Sequence, residues 1–210
     1  MKLNVNILES NQEIEQRILK SLLPEVKTMF KRAFDKSQND IKDVVASAIR
    51  NSPEYVSLQS GILKGEFGLD GSASRLKQIL DFWSNLTVDY KTPQISRSGI
   101  SGGFTISMIR SDYSDVLSLE ASNVTTEKGQ VLPWLQWLLL FADKQIIKDY
   151  EVKVGSYPNS RSGNAVMKKN MSARWGVPSA FAGSVDNNWI TRSIDSVEND
   201  IFQILEQSLD

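Results

Sequence analysis

Three groups of residues in this 210-residue chain have the types and spacing to do chemistry. Ser160 and Ser162 precede Lys168, which could serve a seryl nucleophile as its base. The spacing matches no serine–lysine motif, however, and serine beside Gly163 also fits ordinary turn chemistry. Asp112 and Asp115 could share a divalent cation, but calcium and magnesium need more oxygens than two carboxylates supply. A solvated turn capped by aspartate is the expected reading there. The third group is Lys153, Arg161, Lys168, Lys169 and Arg174, five cations in a stretch between Glu151 and Asp186 that holds no acidic residue. Its chemistry is that of contact with an anionic surface.

The chain contains no histidine and no cysteine. The usual general base, the middle member of a Ser–His–Asp triad, the thiolate nucleophile and the commonest metal ligands are therefore missing. An enzyme built here would rely on carboxylates, Lys, Tyr or Ser. A carboxylate-based glycan hydrolase would need two acids facing each other across a cleft, and no Asp or Glu pair in the chain nominates itself. The reading is a non-enzymatic protein without cofactor or metal. The net charge of −1 lacks the basic excess of a dedicated nucleic-acid binder. With 40% apolar and 23% charged residues the mixture is that of an ordinary globular chain, which argues against wholesale disorder. The start, Met1 to Asn6, does not read as a signal peptide. The apolar run 131–142, interrupted by Pro133 and Gln136, is shorter than the ~20 residues of a bilayer span. A soluble protein made in the cytoplasm is expected.

These groups must be held by elements legible from periodicity. Ile14, Ile18, Leu22, Val26, Met29 or Phe30, and Phe34 recur at helical spacing, with Pro24 predicting a kink or a junction of two helices. Asn39 can cap a second helix carrying Ile41, Val44, Val45, Ala48 and Ile49, which Pro53 ends. Gly61, Gly65, Gly68 and Gly71 then suggest a turn-rich connector anchored by Ile62, Leu63, Phe67 and Leu69; no Gly-Lys-Ser/Thr makes it a phosphate loop. After Ser72, the spacing of Leu76, Ile79, Leu80 and Trp83 predicts another helix. Alternation at Leu86, Val88, Tyr90 and at Phe104, Ile106, Met108 predicts two strands forming a hairpin. The segment 112–117 reads as a short turn or helical piece, and further strands are expected over 119–125 and 146–154.

The helix beginning at Pro133 carries Trp134, Leu135, Trp137, Leu138, Leu139 and Phe141, apolar nearly all round. It must be the core helix of the fold or one covered by a neighbouring subunit. The stretch 155–185 reads as a long polar loop in which Trp175 and Phe181, with Trp189 just beyond, either pin the loop to its own domain or anchor a partner. A long amphipathic helix is expected over about 187–209, striped by Ile190, Ile194, Val197, Ile201, Leu205 and Leu209. The expected fold is a single α+β domain over 1–210. A small, mostly antiparallel sheet (about 86–185) would be flanked by a helical N-terminal part (about 12–85) and the C-terminal helix. That helix region is acidic, with Asp186, Asp195, Glu198, Asp200, Glu206 and Asp210 against Arg192. The basic stretch could be simply solvated, could meet such an acidic face on the next subunit and close a ring, or could touch phosphates in a channel.

Several segments, taken in order, resemble structural proteins of long-tailed bacteriophage particles. They are 57–68, Leu132-Pro133-Trp134-Leu135-Gln136-Trp137-Leu138-Leu139-Leu140, Ser160-Arg161-Ser162-Gly163, Trp175 with Val177-Pro178, Phe181-Ala182-Gly183 and Asn188-Trp189-Ile190-Thr191-Arg192. The similarity is to the neck or tail-completion class between head and tail. It implies an α+β virion component working in several copies, with neck, portal-adaptor or tail proteins as partners and DNA in the channel as a non-specific contact. No catalytic residue carries over. The resemblance makes Arg161, Trp175, Trp189 and Arg192 interface candidates, beside Lys168, Lys169 and Arg174 from the basic stretch and Phe181 from the aromatics. A tail-terminator or minor tail protein, a histidine-free enzyme and a DNA-contacting adaptor are the alternatives.

Overall fold

The computed structural model describes residues 10–85, 88–96, 99–106, 113–126, 128–142 and 144–209. A 41-residue helix, α1 (Asn11–Asn51), runs through the molecule. At about 1.5 Å per residue it is on the order of 60 Å long. Ser10 starts it with a capping box: its hydroxyl accepts from the Glu13 amide while the Glu13 carboxylate accepts from the Ser10 amide. Hydrogen bonds donated to it by the Ser10 amide and hydroxyl hold the Glu13 carboxyl below its ordinary range.

Pro24 lies inside this helix, and Asn39 sits in its interior rather than capping a second one. The two-helix expectation therefore fails. Proline removes one hydrogen bond, facing the Lys20 carbonyl, but this stretch is exposed, and Thr28 Oγ1 donates to the Pro24 carbonyl at 3.0 Å. The buried face comes later in the helix, at Ala33, Ser37, Ile41, Val45 and Ile49.

Ser52 ends α1 and caps α2 (Pro53–Ser60), with proline at the favoured first position. Its hydroxyl donates to the Ile49 carbonyl at 2.7 Å and accepts from the Tyr55 amide at 3.2 Å. Helix α3 (Ile62–Glu66) follows, so most of the anticipated turn-rich connector is helical. Turns remain at Gly68 and Gly71, both at positive φ. Of the proposed anchors, Leu63, Phe67 and Leu69 are buried and Ile62 is exposed. Helix α4 (Ser72–Asn85) buries Leu76, Ile79, Leu80 and Trp83, all four stripe positions.

The α+β class holds, with the strands of the described residues distributed over three antiparallel two-stranded sheets. Strands β1 (Val88–Ser96) and β2 (Gly99–Ile106) form the expected hairpin and lie along α1. Leu86, Met108 and Asp112, invoked above, lie outside the described residues, as do Met1 to Asn6 and Asp210. After α5 (Ser114–Leu117), a single tight helical turn at Glu120–Ser122 replaces most of the strand expected over 119–125. Only β3 (Val124–Thr125) is paired as strand there, with β4 (Val131–Leu132).

Helix α6 (Trp134–Leu140) is the core helix: Trp134, Leu135, Leu138 and Leu139 are fully buried, and Trp134 Nε1 donates to the Ala121 carbonyl at 2.9 Å. Strands β5 (Ile147–Val154) and β6 (Ala165–Trp175) make the longest ribbon. The second of these overturns the long-loop reading, because eleven residues of it are strand. The C-terminal helical segment is divided by a turn at Ser196–Val197 into α7 (Trp189–Asp195) and α8 (Glu198–Leu209). Both pack on the later part of α1, and Lys36 Nζ donates to the Gln207 carbonyl at 2.9 Å. Among the described residues no helix is long and apolar enough to cross a membrane.

Candidate functional site

Most aromatic and arginine interface candidates are used within the chain. Trp189 is buried and donates its Nε1 hydrogen to Ser52 Oγ at 2.6 Å, its ring edge-on to Trp83 at 5.2 Å. It is placed there by Asn188, whose side-chain oxygen accepts from the Ile190 and Thr191 amides to start α7. Asn188 Nδ2 also donates to Tyr113 Oη at 2.6 Å. Arg192 pairs with buried Glu54 at 2.6 Å, and Phe181 packs half-buried against the core. Trp175 is buried and donates its Nε1 hydrogen to the Glu66 carboxylate. Arg161 Nε donates to the Gly68 carbonyl at 2.6 Å, so two segments about ninety residues apart in sequence lock together. The sequence could not decide between a loop pinned to its own domain and a partner anchor. For these five residues the contacts are with the chain itself.

Gly68 shows how tight that lock is. It sits at φ +61°, and a Cβ there would lie 2.5 Å from an Arg161 guanidinium nitrogen. Gly68→Ala is expected to cost about 1–2 kcal/mol from backbone strain and displacement of Arg161. Urea unfolding checks this, and an unchanged midpoint would mean the arginine swings away freely.

Lys168, Lys169 and Arg174 are different: all three are exposed on β6 and form no salt bridge among the described residues. Lys168 Nζ lies 5.8 Å from the centre of the Tyr157 ring. No serine–lysine pair forms, because Ser160 Oγ donates to the Tyr157 carbonyl and Ser162 Oγ is buried without a partner. Asp115 cannot be judged with Asp112, which lies outside the described residues. Among the described residues no three acidic side chains gather as metal ligands would.

The cations belong to an exposed ribbon. Cross-strand pairs set Lys148 opposite Arg174, Tyr150 opposite Lys169 and Glu151 opposite Lys168. Between the first two pairs β6 carries more residues than β5, and this bulge exposes Met171. Side-chain alternation puts Tyr150, Val152, Val154, Lys169 and Met167 on one face, and Glu151, Lys153 and Lys168 on the other. Tyr150, Val154, Met167 and Met171 are exposed large apolar side chains among these charges. Helix α8 is the counterpart in charge, exposing Glu198, Asp200 and Glu206, with Phe202 exposed among them.

Beneath the ribbon lies a cleft of about 330 Å³ between α3, the β3–β4 turn and the base of β5–β6. Phe67, Trp137, Trp175, Val152 and Met167 give it apolar walls, and Glu66 and Arg161 are its charged residues. Glu66 lies in the 57–68 segment, whose resemblance implies no role for it. The available signal was a lone acid between two glycines within an apolar run. Burial raises the Glu66 carboxyl above its ordinary 4.5, opposed by the hydrogen bond from Trp175. The folded chain thus binds this proton more tightly than the unfolded chain. Stability from Glu66 is present below about 4.5 and is lost as pH rises through the raised folded value. Glu66→Gln is expected to remove that decline while keeping an acceptor for Trp175. Stability measured between roughly pH 4 and 7 tests it, and equal declines in parent and variant would discount the burial penalty.

No protein-family model, curated protein or solved structure matches this chain.

Proposed function

We propose that the chain is a non-enzymatic structural subunit of a tailed-phage particle, acting at the neck where head and tail join. The observation that carries the reading is the pairing of two surfaces on one chain. The β5–β6 ribbon exposes Lys148, Lys153, Lys168, Lys169 and Arg174, and α8 exposes Glu198, Asp200 and Glu206. Two different, complementary patches support heterologous contacts between copies, which close into a ring when the rotation allows. The exposed apolar side chains of the ribbon and Phe202 of α8 supply area for burial at such a contact. The position in a phage neck rests on the resemblance of the ordered segments, and the ribbon is the surface assigned to neighbouring neck, portal-adaptor or tail proteins.

The testing experiment labels phage particles from a producing lysate with an antibody against this chain and images them by electron microscopy. Label at the head–tail junction is the expected result. Label elsewhere on the tail would replace the neck position with a terminator or minor tail role. Unlabelled particles, with the protein present in the lysate, would overturn the virion reading.

A further inference from the structure

Glu66 is an acid in the wrong surroundings for a solvated charge. It is half-buried in a largely apolar cleft, and among the described residues its one hydrogen bond comes from Trp175 and no Lys or Arg stands within ion-pair distance. The other charged lining residue, Arg161, directs Nε to the Gly68 carbonyl and a terminal nitrogen to that of Phe67. Trp175 meets Phe67 and Trp137 edge to face, at 6.1 and 5.7 Å, forming an aromatic wall of which Trp137 is the more accessible part. Ser162 Oγ, also lining the cleft, is buried without a hydrogen-bond partner among the described residues.

We propose that this cleft binds a flat, hydrogen-bond-donating cation on an apolar stem, an amidinium or guanidinium, with Glu66 as its counter-ion and the aromatic wall as its platform. A carboxylate offers about four acceptor sites, of which one is used. A planar cation can donate to the remainder in parallel and lay its face on an indole. An anion would confront Glu66, and a neutral apolar ligand would desolvate the carboxylate without compensating it. The volume, at the lower end of the roughly 300–1,000 Å³ of small-molecule sites, limits the ligand to one small group and its stem. This inference is independent of the particle reading.

The experiment is a titration of the full chain with benzamidinium, followed by tryptophan fluorescence, with neutral benzamide as the shape control. Saturable binding is expected for benzamidinium, at least tenfold tighter than for benzamide, and at least tenfold weaker in Glu66→Gln. Glutamine keeps an acceptor for Trp175, and an unchanged or raised urea midpoint verifies that the variant is folded. Affinity should rise from pH 5 to 7.5 in the parent and stay flat in the variant. Arg161 is the other charged residue lining the cleft, and among the described residues β5, β6 and the β3–β4 turn present to it only the uncharged Ile147, Val152, Val166, Met167, Thr126 and Gln130. Lys64 is the charged neighbour of Glu66 on α3. A parallel titration with N-acetyl-arginine methylamide separates the sources. Binding of both probes indicates an arginine side chain of a protein partner, and binding of benzamidinium alone indicates a free aromatic amidine. Equal affinity for benzamide, an unaltered Glu66→Gln variant or no saturation would overturn the proposal.

Discussion

Trp189→Ala is expected to destabilise the chain by about 4 kcal/mol without any partner present. Removing a buried tryptophan costs ~3–5 kcal/mol through lost burial and the cavity left behind. Here the indole is 1% exposed, edge-on to Trp83 and within 6.4 Å of Tyr55. Its Nε1 hydrogen also satisfies Ser52, the hydroxyl that closes α1 and opens α2. Three helices therefore meet on one indole. Set against a total stability on the order of 10 kcal/mol, the loss is a large fraction. Trp189→Phe should cost less, roughly 2 kcal/mol, by keeping the ring and losing the hydrogen bond. Urea unfolding of the purified chain measures both. A parent-like midpoint for Trp189→Ala would return Trp189 to the role of partner anchor.

Lys169→Glu with Arg174→Glu is expected to leave the isolated chain folded and to abolish its incorporation into particles. These positions are preferable to Lys168, since a glutamate there would oppose Glu151 across the strands and disturb the ribbon itself. Lys169 faces Tyr150, and a glutamate at 174 would face Lys148. Stability should therefore change by less than about 1 kcal/mol. At an interface with an acidic face, reversing two charges places like charges together, a cost of several kcal/mol or on the order of a hundredfold in association. Incorporation is measured by quantifying the protein in purified particles. Wild-type incorporation of a folded double variant would remove the ribbon from the assembly surface. Arg161 is unsuitable for such a test, because its guanidinium holds the Gly68 turn and a charge reversal would act through the fold.

What could be read in advance follows burial. Helix α4 was legible because its stripe faces the core, and Leu76, Ile79, Leu80 and Trp83 must repeat at helical spacing to do so. Strand β6 was not. Its residues lie on an exposed ribbon with charges at 168 and 169 and a bulge at 170–173, so no alternation was imposed on them. The continuity of α1 through Pro24 was illegible for a related reason. Proline is costly when the freed carbonyl is buried, and here the surrounding turn is exposed. The site followed the same logic. Trp175, Trp189 and Arg161 were marked by their unusual company in the sequence, but whether they faced inward depended on partners such as Glu66, Ser52 and Gly68, about 90 to 140 residues away. Lys169 and Arg174, which need no partner in the chain, were placed at the surface by charge alone.

The long first helix has a consequence for how such a chain can vary. None of its residues before Ala33 is buried, and its buried face runs from Ala33 to Ile49. The outer segment 11–26 therefore adds length to the helix without adding to the buried core. Adding or deleting turns there would change how far Ser10 stands from the packed core and leave the core residues as they are. Distance is then a quantity this protein can alter by insertion alone, like a ruler cut to a new length.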